Sequence, residues 1–490
     1  MRFTDEILIG GVWRRGGGEL IETRDPATGE VITAIHGADL DDVHQAVEAG
    51  RRAAAEPGWR DLLPHERARL LVRIAGLIDE RAEELATLQT TDTGKSVNET
   101  RALVASAAGT FRYFAAALET LEGARTPPRG QYLSMSVHEP IGVVGAITPW
   151  NSPIASDAQK IAPALAAGNA VVLKPAEWTP LVSLALGRLI TEAGLPAGLL
   201  SVLPGPGRTI GDAVVRHPLV GKVTFTGGTV TGRAIGAAAA EKIMPVSLEL
   251  GGKSPTIVFP DADLDLTVAG ILYGIFSSSG QSCIAGSRVF IHADHYDEVL
   301  DRLVRHTEKL RIGPGGDPAT QVAPLVTHAH RDRVAAMVDR AREEGARVLC
   351  GGRPPEGPEY AAGAYYLPTI LDGLSNGSAT CQEEIFGPVL VALPFADEED
   401  LVQQANDSVY GLACGIWTRD YRTAWRVARR IEAGTVWINT YKQFSISTPF
   451  GGWKQSGTGT EKGREGILAY ARQKSLYWGM GEEPLPWAGL

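Results

Sequence analysis

Cysteine, positive charge and long apolar runs are all scarce in this sequence. Only 4 of the 490 residues are cysteine, and no two of them have a short paired spacing, which argues against a disulfide framework or a cysteine-rich zinc site. Lysine and arginine number 47 against 57 acidic residues, a formal net charge of -10, which disfavours non-specific nucleic-acid binding. No apolar run approaches the roughly 18 residues of a membrane span. The charged residues 1–6 are not followed by the apolar stretch of a secretory signal. We therefore expect a cytoplasmic protein that binds neither nucleic acid nor membranes.

Glycine, by contrast, is abundant. The chain has 57 glycines in 490 residues, or about 12%, whereas globular proteins contain about 7% on average. Because they follow no collagen-like period, they are expected to serve tight turns and close approaches of the backbone. The chain length predicts roughly three domains with a large buried core.

The hydrophobic pattern divides the chain into three parts. The first 120 residues are predicted to be mainly helical, because Leu40, Val43 and Val47 share a face and residues 65–88 continue the helical spacing. Residues 131–138 alternate polar and apolar, which predicts a strand exposed on one face. Two series of short apolar runs separated by helical segments then follow, at residues 141–147, 170–173, 199–203 and 223–225 and at residues 255–259, 287–291, 389–395, 411–418 and 435–439. They predict two α/β domains with parallel sheets and a cleft between them, and residues 475–478 are predicted to add an edge strand.

Three segments carry reactive side chains. Asn151 ends Thr148-Pro149-Trp150-Asn151, Glu249 precedes two glycines and a lysine, and Cys283 ends Gly280-Gln281-Ser282-Cys283. A thiol, a carboxylate and a side-chain amide together suit acyl chemistry through a thiohemiacetal or a thioester. Taken singly, each has a plainer interpretation: a cysteine is usually a buried apolar residue, and an isolated Glu or Asn usually belongs to a turn or cap.

Neighbouring segments add to the pattern. Residues 174–177 end a predicted buried strand, where open α/β sheets bind ligands. Residues 225–232 lead from a strand through two glycines into a helix, whose N-terminus suits a pyrophosphate. Two further glycine- and aromatic-containing segments follow at residues 383–389 and 449–457.

Together and in this order, the motifs resemble the NAD(P)-dependent aldehyde dehydrogenase superfamily over essentially the whole chain, and residues 249–255, 280–283 and 384–389 are the most specific. The resemblance implies an α/β, aldehyde dehydrogenase-like fold with two Rossmann-like domains and a small β-strand oligomerisation extension. It implies a cofactor-binding domain over residues 1–121 and 141–252, a catalytic domain over residues 253–467, and oligomerisation strands over residues 122–140 and 468–490. The exposed edge supports a homodimer or a homotetramer.

The resemblance also implies a reaction, the oxidation of an aldehyde to a carboxylic acid. Cys283 matches the nucleophile that attacks the aldehyde carbon, and Asn151 with the Cys283 N–H matches the donors to the alkoxide. Glu249 matches the general base that activates water to hydrolyse the thioester. Lys160 and Glu461 match positions that relay protons out of the site.

The implied cofactor is NAD, with NADP as the alternative. Lys174 and Glu177 match contacts to the adenosine ribose, and a carboxylate there would repel a 2′-phosphate. Trp150 would lie beside the pyrophosphate, Glu384 would hold the nicotinamide ribose, and Phe386 would pack near the nicotinamide. The remaining implied cofactor-binding residues are Ile147, Thr148, Gly207, Phe225, Gly227, Gly228, Gly232 and Leu250.

Residues 205–211 look like a dinucleotide fingerprint, but their third glycine is one residue too far along. We interpret them as a strand-to-helix turn, which the resemblance assigns to the neighbourhood of the adenine. No metal is expected: His292 with His295, and His328 with His330, lack a recognisable third ligand.

The sequence departs from the family pattern around the substrate. Ser152 and Gln159 stand where aromatic residues are common, and Thr460 replaces a frequent arginine. These departures predict a wider, more polar tunnel and a substrate that is bulky, polar or partly aromatic, with Lys442 near the mouth. At the cofactor phosphate, Gly228 replaces a common serine and offers only its N–H. The predicted substrate residues are Ser152, Gln159, Ser282, Ile284, Phe444 and Phe450.

Two alternatives to a hydrolytic enzyme stay open. Coenzyme A-acylating relatives pass the thioester to coenzyme A, and they usually lack the general-base carboxylate that Glu249 provides here. A catalytically silent paralogue is the second alternative, and the joint presence of Cys283, Glu249 and Asn151 argues against it.

Overall fold

The computed structural model describes residues 5–482 and residue 487. The described strands are β1 (Ile7–Ile9), β2 (Val12–Arg14), β3 (Leu20–Arg24), β4 (Val31–His36), β5 (Ala124–Thr126), β6 (Tyr132–Pro140), β7 (Val143–Ile147), β8 (Ala170–Lys174), β9 (Leu200–Val202), β10 (Val220–Thr226), β11 (Val246–Glu249), β12 (Pro255–Val258), β13 (Arg288–His292), β14 (Arg347–Cys350), β15 (Thr369–Asp372), β16 (Val389–Phe395), β17 (Tyr410–Gly411), β18 (Ala413–Trp417), β19 (Thr435–Ile438), β20 (Trp453–Lys454), β21 (Gly457–Thr458) and β22 (Ala471–Gly479). The described α-helices are α1 (Leu40–Ala55), α2 (Pro57–Arg60), α3 (Pro64–Glu80), α4 (Ala82–Thr93), α5 (Val97–Leu118), α6 (Pro153–Ala166), α7 (Leu181–Glu192), α8 (Asp212–Arg216), α9 (Thr229–Glu241), α10 (Leu264–Phe276), α11 (Tyr296–Thr307), α12 (His328–Glu343), α13 (Ala379–Gln382), α14 (Glu398–Asn406), α15 (Tyr421–Ala428) and α16 (Gly463–Leu468).

The first sheet has the strand order β2-β1-β9-β8-β7-β10-β11-β21. Its five central strands, from β9 to β11, are parallel, while β1, β2 and β21 are antiparallel to their neighbours. Strands β7 and β8 are apolar along their length and fully buried, as expected for strands covered by helices on both faces. The parallel strands end on one edge of the sheet, where Ile147, Lys174 and Glu249 lie.

The second sheet has the order β14-β15-β16-β13-β12-β18-β19 and is parallel except for β14. Two apolar clusters cover its faces. A smaller cluster, with Tyr441 and Trp437 at its centre, lies beside the cysteine loop. The prediction of two parallel-sheet α/β units is therefore confirmed.

A separate three-stranded sheet has the order β22-β6-β5. Strand β22 pairs antiparallel with β6 from Ala471 opposite Pro140 to Gly479 opposite Tyr132. The strand predicted near residues 131–138 is confirmed, and so is the C-terminal edge strand. The expectation that residues 131–138 form a free edge was wrong, because β6 is paired with β22 on one side and with β5 on the other. The domain boundaries drawn from the sequence stay a prediction.

The expectation that the first 120 residues are mainly helical was incomplete. Helices α1, α3, α4 and α5 are present, but four short strands, β1 to β4, precede them. Strands β3 and β4 are largely exposed or half-buried, so their apolar residues follow no clear alternation that a sequence pattern could reveal. The structure also adds β11, β14 and β15, which the apolar runs did not indicate. Across residues 5–482, no helix is both long enough and apolar enough to cross a membrane.

Candidate active site

Cys283, Glu249 and Asn151 line one cavity of about 480 Å³. Asn151 follows β7 after three residues, and Glu249 is the last residue of β11, so the shared edge of the first sheet brings the amide and the carboxylate together. Cys283 comes from the loop after α10, in the second α/β unit. The three reactive groups singled out in the sequence thus converge on one space.

The cysteine loop is held in an unusual backbone conformation. Ser278 and Ser279 have φ of 58° and 54°, and Gly280 follows with φ of 71°. A Cβ on Gly280 would lie 1.9 Å from the Gly387 carbonyl oxygen, so only glycine fits here. The side-chain amide of Asn151 donates a hydrogen bond to the carbonyl of Gln281 at 2.9 Å, which ties this loop to the first sheet.

The environment of Cys283 favours the neutral thiol in this structure. Burial raises the pKa of the Cys283 thiol to about 12, and the nearby carboxylates of Glu384 and Glu249 act in the same direction. The Lys442 ammonium opposes them. A nucleophilic thiolate therefore needs a group that takes up its proton.

Glu249 is placed to accept protons. Its side chain is buried, and both carboxylate oxygens lack a hydrogen-bond partner among the described residues. Burial raises the pKa of Glu249 well above its usual range, and the charge of Glu461 raises it further. A raised carboxyl pKa brings the group closer to neutral pH, where a general base works best.

Lys160 and Glu461 form a buried ion pair behind this base. The Lys160 Nζ contacts Glu461 Oε1 directly and donates to Thr224 Oγ1 at 3.1 Å. The Thr224 hydroxyl donates to the same Glu461 oxygen at 3.3 Å. Glu461 is also fixed through its backbone, since it exchanges two hydrogen bonds of 2.8 Å and 2.7 Å with Phe450. A charged network thus connects the cavity with the core of the first sheet.

A second cavity, of about 760 Å³, adjoins the first and shares Trp150, Gly227 and Gly228 with it. Such a volume lies within the range of about 300–1,000 Å³ typical of small-molecule sites. Helix α9 begins at Thr229 on its wall, and a helix N-terminus offers unpaired N–H groups to an anion. The predicted cofactor residues on its wall are Ile147, Thr148, Trp150, Lys174, Glu177, Gly207, Phe225, Gly227 and Gly228.

Lys174 and Glu177 form one end of this second cavity. The Glu177 Oε2 accepts a hydrogen bond from the Gly207 N–H at 3.0 Å and lies 3.9 Å from Lys174 Nζ. Burial lowers the pKa of Lys174 to about 8, against the opposing attraction of Glu177. The turn at residues 205–211 is therefore linked to Glu177.

Leu250, Glu384 and Phe386 line the cavity that contains Cys283. The Glu384 Oε1 accepts from the Gly252 N–H at 3.0 Å, and burial raises the pKa of Glu384 to about 7. Gly232 lines neither cavity; a Cβ on it would lie 2.3 Å from Leu250 Cδ2, so its place in α9 is one of close packing.

An aromatic cluster lines the cavity that contains Cys283, and its Trp150 also lines the second cavity. Trp150 and Phe386 meet edge to face with ring centroids 5.3 Å apart, and the His330 ring lies 5.4 Å from Trp150. A ring nitrogen of His330 is 2.8 Å from the Phe386 carbonyl oxygen, which fixes the strained loop in which Phe386 has φ of 58°. The sequence offered His330 only as a weak metal candidate, and nothing in its neighbours indicated this contact. No group of three or more potential metal ligands occurs among the described residues.

The predicted substrate residues divide into two groups. Ile284, Phe450 and Cys283 belong to one apolar cluster, and Phe444 meets Phe450 edge to face at 5.5 Å. Ser152, Gln159 and Ser282 are half-buried and line neither of the two cavities. Lys442 donates from Nζ to Ser277 Oγ at 2.7 Å.

Sequence analysis did not identify Lys462. Its Nζ lies 3.9 Å from the centre of the Phe444 ring and 5.1 Å from that of Phe450. Its position directly after Glu461 was the only available signal, and the sequence does not show which way the side chain turns.

Known proteins resemble this chain over nearly its whole length. The profile described as the aldehyde dehydrogenase family matches residues 13–476. A phenylacetaldehyde dehydrogenase of Pseudomonas fluorescens is 41% identical over 485 residues, covering 97% of this chain and 96% of that protein.

Solved structures agree with this match. An NAD+ complex of an aldehyde dehydrogenase from Bacillus cereus superposes with a TM-score of 0.95 at 40% identity, covering 97% of this chain and 96% of its own. A betaine aldehyde dehydrogenase point mutant from Staphylococcus aureus, in complex with NAD+ and with a BME-modified cysteine, superposes with a TM-score of 0.97 at 35% identity. It covers 99% of this chain and 97% of its own.

Proposed function

Because the chain belongs to the aldehyde dehydrogenase family, we propose that it carries out the NAD-dependent oxidation of an aldehyde to a carboxylic acid through Cys283. The observation that carries this proposal is the convergence of Cys283, Glu249 and Asn151 on one cavity. That cavity opens onto the second one, at the N-terminus of α9. Oxidation of an aldehyde bound to Cys283 requires the cofactor to lie next to this cysteine, and two adjoining cavities allow that arrangement.

The chain's own residues and water account for each proton and each charge. Cys283 Sγ loses its proton to water and forms a bond to the aldehyde carbon, which turns the carbonyl oxygen into an alkoxide. The Asn151 amide and the Cys283 N–H stabilise that oxygen, and such donors act where charge develops. NAD, when bound, supplies the oxidation by accepting a hydride.

Hydrolysis of the resulting thioester restores the enzyme. Glu249 takes a proton from a water molecule, whose oxygen bonds to the acyl carbon while Cys283 leaves as the thiolate. The acid product departs, and the proton on Glu249 passes outward along Glu461 and Lys160. Burial raises the pKa of Glu249, which supports this role, since the group can then accept the proton of water and release it again near neutral pH.

The residues of the second cavity fit NAD. Gly227, Gly228 and the start of α9 would hold the pyrophosphate, and the buried Lys174 supplies a cation beside Glu177. Glu177 would accept from the adenosine ribose hydroxyls and repel a 2′-phosphate, which favours NAD over NADP. Glu384, Phe386 and Leu250 would surround the nicotinamide riboside beside Cys283.

The substrate is proposed to be bulkier or more polar than a small aliphatic aldehyde. Phe444 and Phe450 supply aromatic walls near Cys283, which supports this substrate class. Ser152 at the N-cap of α6 and Gln159 on α6 support it only through the sequence pattern, since they line neither cavity. Acetaldehyde with a kcat/KM at least equal to that of every larger polar or aromatic aldehyde would contradict this assignment.

The three-stranded sheet supports a homodimer or homotetramer. Strand β22 is a sheet edge, and it exposes Leu476, Tyr477 and Trp478, a combination that favours pairing with another chain. All four cysteines are free thiols, which supports a reducing compartment such as the cytoplasm.

The test is an aldehyde panel with NAD and with NADP, reporting kcat/KM and the identity of the product. The proposal expects NADH and a carboxylic acid in equal amounts, with the same rate when coenzyme A is added. Formation of acyl-coenzyme A in place of acid would favour the acylating alternative. Absence of NADH with every aldehyde would favour the silent paralogue.

A further inference from the structure

Lys462 is a buried cation on an aromatic wall. The residue is 8% exposed, and its ammonium faces the rings of Phe444 at 3.9 Å and Phe450 at 5.1 Å. Among the described residues, no carboxylate pairs with Nζ and no oxygen hydrogen-bonds to it. A buried ammonium contacted only by ring faces lacks most of the compensation that it had in water.

The aromatic wall extends from the apolar cluster of Cys283 to the surface. Phe450 packs in the same apolar cluster as Cys283, while Phe444 next to it is 46% exposed. The ammonium of Lys462 faces both rings, so it lies on a wall that shares a cluster with the reactive thiol at one end and is exposed at the other. Its charge also reaches the site, because it opposes the burial that raises the pKa of Glu249, and Glu461, Cys283 and Glu249 in turn attract the ammonium.

The backbone of Lys462 has a strained conformation. Its φ of 58° and ψ of -179° lie in a region that glycine normally occupies. The preceding residue, Glu461, is fixed by its two backbone hydrogen bonds to Phe450, so Lys462 has a set position relative to that ring. Strain of this kind collects at ligand sites.

The two neighbouring carboxylates, Glu461 and Glu249, do not form an ion pair with Lys462. Glu461 is bonded to Lys160 and Thr224, and Glu249 is the proposed base. Lys160 is paired with Glu461, and Lys442, a half-buried lysine near the site, donates to Ser277 and is attracted by the charge of Glu99. Lys462 is thus a cation without an ion-pair partner among the described residues, and it can bind an external anion.

We propose that Lys462 is a specificity-determining residue that binds a carboxylate on the far end of the aldehyde, so that the preferred substrates are aldehydes carrying a second, anionic group. The inference rests on the proposed function, since it concerns the same site. Phe444 and Phe450 contact the body of such a substrate, and the Nζ donates to its carboxylate. Charge-assisted hydrogen bonds of this kind are the strong ones.

The experiment compares two aldehydes of matched shape, 4-carboxybenzaldehyde and the neutral 4-carbamoylbenzaldehyde, with wild-type enzyme, Lys462→Met and Lys462→Arg. The wild type is expected to favour the carboxylate in kcat/KM. Lys462→Met is expected to lose about tenfold or more on the carboxylate relative to the amide, while its KM for NAD stays the same. Any effect of the lost charge on Glu249 changes both aldehydes alike and cancels in this ratio. Lys462→Arg, which keeps the charge, is expected to retain the preference, and Lys309→Met on the exposed surface to change neither substrate.

Two results would overturn the inference: a wild-type preference for the amide, or an equal loss on both aldehydes in Lys462→Met. An equal loss on both aldehydes would show that Lys462 acts through the pKa of Glu249 and does not bind the carboxylate of the substrate. If the wild type oxidises neither aldehyde, the aldehyde panel decides the proposed function, and the inference is tested without turnover. Calorimetry would compare the methyl ketones 4-acetylbenzoate and 4-acetylbenzamide, which cannot be oxidised, in the presence of NAD. Tighter binding of the benzoate that Lys462→Met abolishes is the supporting result, and equal binding of the two ketones by the wild type would overturn the inference.

Discussion

The side-chain amide of Asn151 donates to the backbone carbonyl of Gln281 at 2.9 Å. Asn151 follows strand β7 of the first sheet, and Gln281 belongs to the loop that carries Cys283. An amide nitrogen has two hydrogens, so this bond orients Asn151 and leaves one donor for the substrate oxygen. A single residue thereby joins the two α/β units and serves the reaction.

Replacing Asn151 with alanine should therefore damage catalysis more than cofactor binding. We expect kcat to fall by about 10²–10³, the usual effect of removing one oxyanion donor, while the Kd for NAD changes little. Steady-state kinetics and fluorescence titration measure the two quantities. Asn98→Ala is the matched control, because Asn98 also donates to a backbone carbonyl, that of Pro318, on the exposed surface. Equal kinetic losses in both variants would refute the assignment.

The Lys160–Glu461 pair should make a measurable contribution to stability. Lys160 is fully buried and Glu461 nearly so, and removal of one partner leaves an uncompensated charge. Lys160→Met is expected to destabilise the fold by about 3–5 kcal/mol, measured as a shift of the urea midpoint. The double variant Lys160→Met/Glu461→Gln should recover part of that loss.

The exposed pair of Arg101 and Glu83 is the control for this measurement. Arg101→Met should hardly shift the midpoint, because surface pairs are screened by solvent. A double variant less stable than the sum of the two single changes would contradict the account.

The same Glu461 should govern the pH dependence of turnover. Its charge raises the pKa of Glu249, and only the deprotonated form of Glu249 can activate water. In the wild type the rate is therefore expected to fall as the pH drops through that raised pKa. Glu461→Gln removes the raising charge, so the acid limb of kcat should move to lower pH. An acid limb that moves to higher pH, or stays in place, would show that the two carboxyls do not interact.

Gly251 allows Glu384 to lie against the backbone. A Cβ at this position would come within 2.2 Å of Glu384 Oε2, so Gly251→Ala must displace the carboxylate that is proposed to hold the nicotinamide ribose. We expect a KM for NAD that rises about tenfold or more, because a charge-assisted bond is lost. Gly236→Ala is the control, since its Cβ would meet Leu248 at an ordinary 3.8 Å. An unchanged KM in Gly251→Ala would count against the role of Glu384.

Glu177 should decide between NAD and NADP. Glu177→Gln keeps an oxygen that accepts from the Gly207 N–H but removes the charge that repels a 2′-phosphate. The ratio of kcat/KM for NADP to that for NAD is expected to rise about tenfold. A ratio that does not move would mean that another group selects the cofactor.

The sequence allowed prediction of the two sheets because buried strands show a local pattern: β7 is apolar throughout, and β8 is apolar up to its last residue, Lys174. The residues that meet at Cys283 could be predicted because their motifs stand in the order of the aldehyde dehydrogenase family. Contacts between segments far apart in the chain could not be predicted from the sequence. His330 under Phe386 and Lys462 on Phe444 depend on how loops fold back, and no periodicity encodes this.

Gly232 shows a second limit of prediction from a sequence motif. Its motif was correctly associated with a helix start beside a cavity, but the residue itself packs against Leu250. A motif indicates the segment, whereas packing decides which of its residues face the ligand. Short, largely exposed strands such as β3 and β4 escaped prediction because they bury too little apolar surface to show a pattern.

The most direct test of the account is the intact mass of Glu249→Gln after mixing with NAD and an aldehyde substrate. The account predicts one equivalent of NADH per active site, followed by slow turnover, and an acyl adduct that peptide mapping finds on Cys283. The adduct should be absent in Cys283→Ala. NADH formation without an adduct, or an acyl group on Cys350, Cys381 or Cys414, would contradict it.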